Sequence, residues 1–170
     1  GTETSRDQRN PDPNTDGTIL SGEINDPNVT WDNSRCVVRT STSMALPCVL
    51  DGFVITGGHG DGAQDEVGCG MVVAGDLTDV TNCIFRENHG AYKGGGIHIC
   101  SDCLLVNCLI ESNSATYGGG VEIENGDPTL INCVFRTNQG GKSPLGSGGG
   151  VYNRSASPVF VNCVFSMNYA

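Results

Sequence analysis

The chain has 170 residues, with 25 glycines, only 16% charged residues and a formal net charge of −10 at pH 7. So acidic a chain has no electrostatic attraction for a phosphate backbone or an anionic membrane surface, which excludes nucleic acid as an expected partner. Its longest candidate for an apolar run, residues 103–110, is interrupted by Asn107 and is far shorter than the roughly 20 residues of a membrane span, so membrane insertion is not expected. Many glycines with few charges indicate tight, repeated turns rather than a helical bundle.

The first segment of the chain differs in composition from the rest. Residues 1–17 are polar, and the prolines at positions 11 and 13 set an extended path. We therefore expect an extended polar N-terminal segment over residues 1–17 and a single β-domain over residues 18–170. The chain begins at Gly1 rather than at methionine, which is compatible with a leader peptide that has been removed.

A four-residue pattern, asparagine and cysteine followed by two apolar residues, recurs from residue 82 onward. Its copies begin at Asn82, Asn107, Asn132 and Asn162, which are spaced by 25, 25 and 30 residues. A glycine cluster followed by an apolar residue precedes each copy, and a further asparagine lies three residues after it. A diverged earlier copy covers residues 52–58. The chain therefore consists of internal repeats, which determine the fold class.

Each repeat holds about two short runs with period-two alternation, bounded by Gly, Asn, Asp and Ser, and none shows the 3.6-residue period of a helix. A unit of 24–30 residues without a helix predicts an all-β, single-stranded parallel β-helix, or β-solenoid, of about five to six coils. A leucine-rich repeat would show a leucine framework, and a propeller blade would need about 40 residues.

Stacked coils place equivalent residues about 4.8 Å apart, so the repeat predicts ladders of side chains. Alternation directs two ladders into the core. The first contains Phe53, Cys83, Cys108, Cys133 and Cys163. The second contains Ile55, Phe85, Ile110, Phe135 and Phe165. We interpret these cysteines as small buried hydrophobic residues rather than metal ligands, because none of the four belongs to a CxxC pair with histidine at metal-ligand spacing.

Three further columns follow from the same register. The position between the core ladders points outward yet is apolar, so it is a candidate interface, formed by Val54, Ile84, Leu109, Val134 and Val164. Asparagine tolerates the left-handed conformation and can stack its amides, so a turn ladder is predicted at Asn88, Asn113, Asn138 and Asn168. Opposite charges should stack on the outer face at Arg86, Glu111 and Arg136.

These residues carry a family resemblance. The segments Gly-Gly-Gly-Val-Tyr-Asn at 148–153 and Ser-Pro-Val-Phe-Val-Asn-Cys-Val-Phe at 157–165 resemble coils of bacterial right-handed β-helix surface proteins. Those proteins share the pectin-lyase-like fold and the repeats of polymorphic outer-membrane proteins. Residues 18–24 and 50–58 resemble the first coils of that family. The resemblance covers residues 18–170 and implies a right-handed β-helix, a fold that hosts lyases, hydrolases, adhesins and inert stalks.

The remaining cysteines lie off the core ladder. Cys100 and Cys103 flank the turn between two strands of one coil, where a local disulfide is predicted. Cys36 and Cys48 lie in consecutive strand-like runs and form a second candidate pair. The odd total of nine cysteines leaves at least one thiol unpaired.

Residues for chemistry are sparse. The outward positions after the glycine clusters are Val72, His98, Glu122 and Tyr152. His98 and Glu122 are neighbours on adjacent coils, and we weigh an acid/base pair against a solvated surface pair. No catalytic residue, metal site or cofactor is predicted. Incidental calcium binding at Asp61, Asp65 or Glu66 remains open, although the nine-residue period of calcium-binding repeats is absent.

Two short motifs resemble those of polygalacturonases, which are inverting hydrolases. They are residues 14–17, Asn-Thr-Asp-Gly, and residues 58–60, Gly-His-Gly. The adjacent aspartate pair and the Arg-x-Lys clamp of that family are absent. We therefore interpret both segments as turns.

Two functions remain open. The first is an extracellular or cell-surface structural or adhesive protein, not an enzyme, whose partners are copies of itself in a head-to-tail filament or surface layer. The alternative is a carbohydrate-binding or carbohydrate-cleaving module for uronate polysaccharides, with a cell-surface polysaccharide as partner. A groove of titratable or aromatic residues on one outer sheet would distinguish the alternative from the first function.

Overall fold

The computed structural model describes residues 18–24, 28–30, 32–42, 46–60, 69–76, 78–141 and 148–170. The predicted N-terminal segment, residues 1–17, lies outside these ranges. Within the described ranges no helix is long and apolar enough to cross a membrane.

The described residues form sixteen strands in three parallel sheets. Sheet A contains β1 (Thr18–Ser21), β4 (Phe53–Thr56), β7 (Ile84–Arg86), β10 (Leu109–Glu111), β13 (Val134–Arg136) and β16 (Val164–Ser166). Sheet B contains β2 (Val38–Arg39), β5 (Met71–Val73), β8 (Ile97–Ile99), β11 (Val121–Ile123) and β14 (Val151–Asn153). Sheet C contains β3 (Cys48–Asp51), β6 (Thr78–Thr81), β9 (Cys103–Val106), β12 (Thr129–Ile131) and β15 (Val159–Val161).

The chain visits the three sheets in a fixed order. From β2 onward each successive coil contributes one strand to sheet B, one to sheet C and one to sheet A, which gives five coils in the described residues, with β1 as an additional strand of sheet A. Strands of the same sheet pair in parallel with the coil before and after. This arrangement confirms the predicted parallel β-helix of about five to six coils.

Each coil has three strands rather than the two runs expected from the sequence. In the sequence, residues 129–136 form one continuous run, but in the structure the chain bends at Asn132, whose φ is 54°. The bend separates β12 from β13 and directs the next side chain, Cys133, into the core, where it is fully buried. Because Asn accepts the left-handed region more readily than most residues, the corner needs no glycine.

The core contains both predicted ladders. Pairing of sheet A aligns Leu20, Ile55, Phe85, Ile110, Phe135 and Phe165 in one column. Cys83, Cys108 and Cys133 are buried beside it, while Cys163 and Phe53 are partly buried against the same cluster. The Sγ atom of Cys133 lies 3.4 Å from the Ile131 carbonyl oxygen. These thiols therefore act as small core residues that also face carbonyl groups.

The column of Asn88, Asn113, Asn138 and Asn168 is an internal amide ladder. The side-chain nitrogen of Asn113 donates to Asn138 Oδ1 at 3.1 Å and to the Phe85 carbonyl at 2.9 Å. Its oxygen accepts from the backbone and side chain of Asn88, both at 3.1 Å. Asn113 is buried, so these bonds satisfy polar groups that water cannot reach.

The left-handed residues lie in other columns than predicted. Positive φ occurs at Asn82, Asn107, Asn132 and Asn162 and one corner later at Glu87, Ser112, Thr137 and Met167. The Asn88 column is not among them. The amides of the first set stack along the surface, as in the 3.1 Å bond from Asn132 to Asn107. Two asparagine columns thus divide the roles that the sequence analysis assigned to one.

The glycine clusters precede sheet B for two different reasons. Gly118 has a φ of 63°, a region that side chains disfavour. Gly120 has an ordinary φ, but a Cβ atom there would lie 2.5 Å from the Gly150 carbonyl oxygen of the next coil. The clusters therefore allow a tight corner and a close approach between coils.

The outward apolar column is only partly exposed. Val54 and Ile84 are buried, Leu109 and Val134 are half-buried, and Val164 is 52% exposed. The expectation of an exposed stripe over all five positions is therefore wrong, because other atoms of the same chain cover its first two members. The charge column follows the predicted register, with Glu111 opposite Arg86 and Arg136, and Arg136 Nε lies 2.7 Å from Glu111 Oε2.

The predicted disulfides do not form, and none of the nine cysteines is in a disulfide bond. Cys103 points into the core, whereas Cys100 contacts His98, so the wall of the coil separates the two side chains. Burial, with the charges of Asp102 and Asp79, raises the pKa of the Cys103 thiol to about 12. The Cys36 thiol donates to the Val38 carbonyl at 3.0 Å, while Cys48 belongs to another sheet.

Alanine substitutions at Phe135 and Phe165 compare a core phenylalanine that has a coil on both sides with one that, within the described residues, has a coil on one side only. Phe135→Ala should lower the free energy of unfolding by about 3–5 kcal/mol, since Phe135 is fully buried. Phe165→Ala should cost only about 1 kcal/mol, because Phe165 is 50% exposed. Urea unfolding of dilute protein, followed by circular dichroism, measures both. Equal losses would contradict the burial described here.

The two asparagine columns provide a second matched pair. Asn113→Ala should cost roughly 3 kcal/mol or more, because it leaves several buried groups without hydrogen bonds. Asn107→Gly, on the exposed column, keeps the positive φ and should change stability by less than about 1 kcal/mol. Urea unfolding measures both variants. A larger loss of stability in Asn107→Gly than in Asn113→Ala would contradict the assignment of the Asn113 column to the interior.

Candidate functional site

The outer face of sheet B carries the predicted row of Val72, His98, Glu122 and Tyr152. Strand pairing aligns them in this order on successive coils. His98 and Glu122 are each only 1% exposed, and Val72 is buried as well. The prediction that the two residues are neighbours is correct, but they are not the solvated surface pair that the sequence favoured. A buried charged pair on an outer face has to be satisfied by its surroundings.

His98 is held at both ring nitrogens. Its Nδ1 lies 3.0 Å from Glu122 Oε2, and its Nε2 lies 2.7 Å from Cys100 Sγ and 3.4 Å from Glu124 Oε2. Burial alone lowers the pKa of a histidine, but the hydrogen bonds and charges of Cys100 and Glu122 raise the pKa of His98 to about 9. The ring is therefore positively charged at neutral pH.

Glu124 joins this pair to two cations. Lys93 Nζ lies 2.9 Å from both carboxylate oxygens, and Arg154 donates to Oε1 at 3.1 Å. Burial alone raises the pKa of a carboxyl group, but the hydrogen bond and charge of Lys93, with the charges of His98 and Arg154, lower the pKa of Glu124. The result is a network of two carboxylates and three cations on three successive coils, those of β8, β11 and β14.

Three tyrosines border the network on the outside. The rings of Tyr92 and Tyr117 are 5.1 Å apart, and those of Tyr117 and Tyr152 are 5.3 Å apart. A pocket of about 130 Å³ lies beside them. Its walls are Tyr92, Lys93, Tyr117, Glu122, Tyr152 and Arg154. The pocket thus combines aromatic rings with two basic side chains.

The backbone around the glycine clusters positions these residues. Lys93 immediately precedes Gly94, which has a φ of 53°, and its backbone pairs with that of Tyr117 on the next coil. Beyond the cluster the chain enters β8, where His98 points outward between the inward Ile97 and Ile99. One glycine-rich corner therefore directs Lys93 and His98 to the same outer face.

Sequence reasoning found His98, Glu122 and Tyr152 but missed Cys100 and Glu124. The signal was present, since each missed residue lies two positions after a residue already assigned to the outer face. The register that pairs His98 with Glu122 consequently brings Cys100 and Glu124 together. Lys93, Arg154, Tyr92 and Tyr117 lie in corners, where alternation gives no prediction.

The other sites considered from the sequence lie elsewhere. Asp61, Asp65 and Glu66, the residues considered for calcium, and residues 14–17 lie outside the described residues. His59, in the second polygalacturonase-like motif, stacks on His89 of the next coil with ring centroids 5.0 Å apart. It forms an isolated parallel β-bridge with His89 and is one member of a stacked column.

Comparison with known families agrees with this geometry. The model of the family described as right handed beta helix region matches residues 21–170. The chain belongs to the right-handed β-helix family. No curated protein and no solved structure matches it. The family match confirms the predicted fold and handedness of this β-helix protein, and it assigns no activity to its outer faces.

The buried pair of the β-helix protein can be tested by a double-mutant cycle. Glu122→Leu should cost about 3 kcal/mol, because it leaves the His98 ring without its buried partner. The double variant His98→Leu with Glu122→Leu should recover most of this loss, since two apolar residues would extend the outer row begun by Val72. Urea unfolding measures the wild type, Glu122→Leu, His98→Leu and the double variant, which together complete the cycle. A double variant as unstable as Glu122→Leu would contradict the coupling.

Proposed function

We propose that this β-helix protein is an extracellular structural or adhesive protein, without catalytic activity, that assembles head to tail. The observation that carries the proposal is the apolar surface of the coil formed by β14, β15 and β16. On β15 and β16 five apolar side chains are between 37% and 52% exposed: Val159, Phe160, Val161, Val164 and Phe165. Contiguous apolar surface of this kind usually marks an interaction site.

The geometry of the core ladder supports a further coil as the partner. Phe165 stacks on Phe135 with ring centroids 4.6 Å apart and planes inclined by 5°. Another coil above Phe165 would repeat this contact and bury its free face, which contributes about 1–2 kcal/mol for an aromatic side chain. At the other end of the ladder, Leu20 on β1 is only partly buried. Joining Phe165 of one copy to Leu20 of another would continue the column.

Such a contact uses different surfaces on the two copies. A heterologous contact that does not close on itself produces an open filament rather than a ring. Strand β16 pairs with β13 on one side, so in the described structure its other edge can accept a parallel strand. Backbone pairing and apolar burial would therefore stabilise the same interface.

Assembly is tested by a charge placed on the end of the ladder. Phe165→Asp should abolish association, because a carboxylate in the contact would be buried without a partner. Leu46→Asp is the matched control, since Leu46 is 75% exposed and lies in the turn before β3. Sedimentation velocity and negative-stain microscopy report the outcome. A wild-type chain that stays monomeric at high concentration, or filaments that persist in Phe165→Asp, would contradict the proposal.

The extracellular location has a different basis from the assembly. It rests on the resemblance to bacterial surface proteins, because the nine cysteines form no disulfide that would indicate an oxidising compartment. Localisation of the tagged, full-length gene product in the source cell would test this part independently of assembly.

The tyrosine-lined pocket favours a second candidate function, binding of an acidic polysaccharide. Tyrosine rings can pack against sugar faces, and Lys93 and Arg154 supply positive charge for uronate carboxylates. The pocket is small and its cations already bind Glu124, so this function ranks second.

Titration with oligogalacturonate tests the binding function. Tyr152→Ala should lower the affinity about tenfold, whereas Arg136→Gln, on sheet A, should leave it unchanged. Absence of saturable binding to the wild type would exclude this function. Release of unsaturated sugars, lost in Glu122→Gln, would instead reveal a lyase.

A further inference from the structure

A two-by-two patch of ionisable side chains lies on the outer face of sheet B. His98 and Cys100 belong to one coil, and Glu122 and Glu124 belong to the next, with Glu122 directly opposite His98. The Nε2 atom of His98, the Sγ atom of Cys100 and a carboxylate oxygen of Glu124 all lie within 4.8 Å of one another. Three different donor atoms therefore converge on one point of the surface.

The donor types suit a particular metal. Thiolate, imidazole and carboxylate together are the ligands of zinc, whereas calcium and magnesium take oxygen ligands. A buried ion pair between His98 and Glu122 needs neither Cys100 nor Glu124. One acceptor is enough to satisfy the N–H at Nε2 of the buried ring. Here both Cys100 Sγ and Glu124 Oε2 converge on Nε2, at 2.7 Å and 3.4 Å.

We propose that His98 Nε2, Cys100 Sγ and Glu124 Oε2 bind one zinc ion, with Glu122 as the partner that orients the imidazole. Glu122 Oε2 lies 3.0 Å from Nδ1 of His98 and is itself buried. A zinc-bound histidine commonly donates its other ring N–H to a carboxylate, which fixes the ring and strengthens the metal bond.

The patch needs only a small adjustment to hold the ion. Zinc bonds of about 2.3 Å to sulfur and 2.0 Å to nitrogen at tetrahedral angles place the two ligand atoms roughly 3.5 Å apart. In the metal-free geometry Sγ and Nε2 are 2.7 Å apart. A small rotation of the partly exposed Cys100 side chain would lengthen the distance between Sγ and Nε2 to about 3.5 Å. The buried His98 ring would not have to move.

The surrounding charges leave one carboxylate oxygen for the ion. Arg154 binds Oε1 of Glu124, and Lys93 reaches both oxygens. When zinc takes Oε2, Oε1 keeps both cations, as in carboxylates that bridge a metal and a basic side chain. Cys100 and Glu124 are partly exposed, so the fourth position of the ion is open to water or to a ligand from outside.

Cobalt and zinc titrations of the whole chain test the site. The protein is reduced, freed of metal with a chelator and titrated at about pH 8, because thiol and imidazole lose protons on binding. Cobalt should give one saturating equivalent with a sulfur-to-metal absorption band, and zinc should displace it. Cobalt serves as the probe because zinc itself has no such absorption.

The variants distinguish this site from the other thiols. Cys100→Ser should remove the sulfur band and weaken zinc binding at least 100-fold, and Glu122→Gln should weaken it about 10- to 100-fold. Glu124→Gln, at a partly exposed position, should lower the affinity without unfolding the protein. Cys48→Ser, on sheet C, is the control and should bind as the wild type does.

Two results would overturn the proposal. One is the absence of a saturable sulfur band in the wild-type chain, a result that requires no variant. The other is a band of undiminished intensity in Cys100→Ser, which would place the metal at another cysteine. Melting curves of each variant verify that lost binding is not lost folding.

Discussion

The structure depends on one constraint, the register in which each coil hydrogen-bonds to the next. Parallel pairing in all three sheets places every repeat directly above its predecessor, so a residue type chosen once per coil becomes a continuous column. The phenylalanine ladder, the inner amide ladder of Asn113 and the outer amide ladder of Asn132 all follow from it. A shift of one residue would exchange the inner and outer faces of every strand at once.

The repeat made the fold predictable from sequence, because spacing and alternation fix which residues stack and which face they occupy. Phe135 and Cys133 were assigned to the core on that basis alone, and both are fully buried. Corners were less predictable, since they follow local conformation. The bend at Asn132 hid a third strand, and the positive φ fell one column away from the asparagines expected to carry it. The predicted disulfides were wrong because the number and spacing of the cysteines do not show whether a thiol faces the core or the outside of the coil.

Only part of the candidate site could be predicted, because alternation determines which face of a strand a residue occupies but not whether that face is buried. Alternation found His98 and Glu122 but gave no indication that a row pointing away from the core would be buried. The corner residues Lys93 and Tyr117 line the pocket beside Glu122, and alternation along a strand does not predict their positions. The two proposed properties of this β-helix protein occupy separate surfaces. Assembly uses the end of the core ladder at Phe165, and the metal patch uses the flank of sheet B, so either can hold without the other.

The central claim is that one register builds both the core columns and the outer patch from adjacent coils. Anomalous diffraction at the zinc edge, from crystals of the reduced and zinc-loaded protein, tests it most directly. The account predicts one strong peak bounded by His98, Cys100 and Glu124, about 2.0–2.3 Å from the three ligand atoms, with Glu122 still opposite His98. A peak at other cysteines, no peak at all, or a coil register in which Glu122 no longer faces His98 would contradict it.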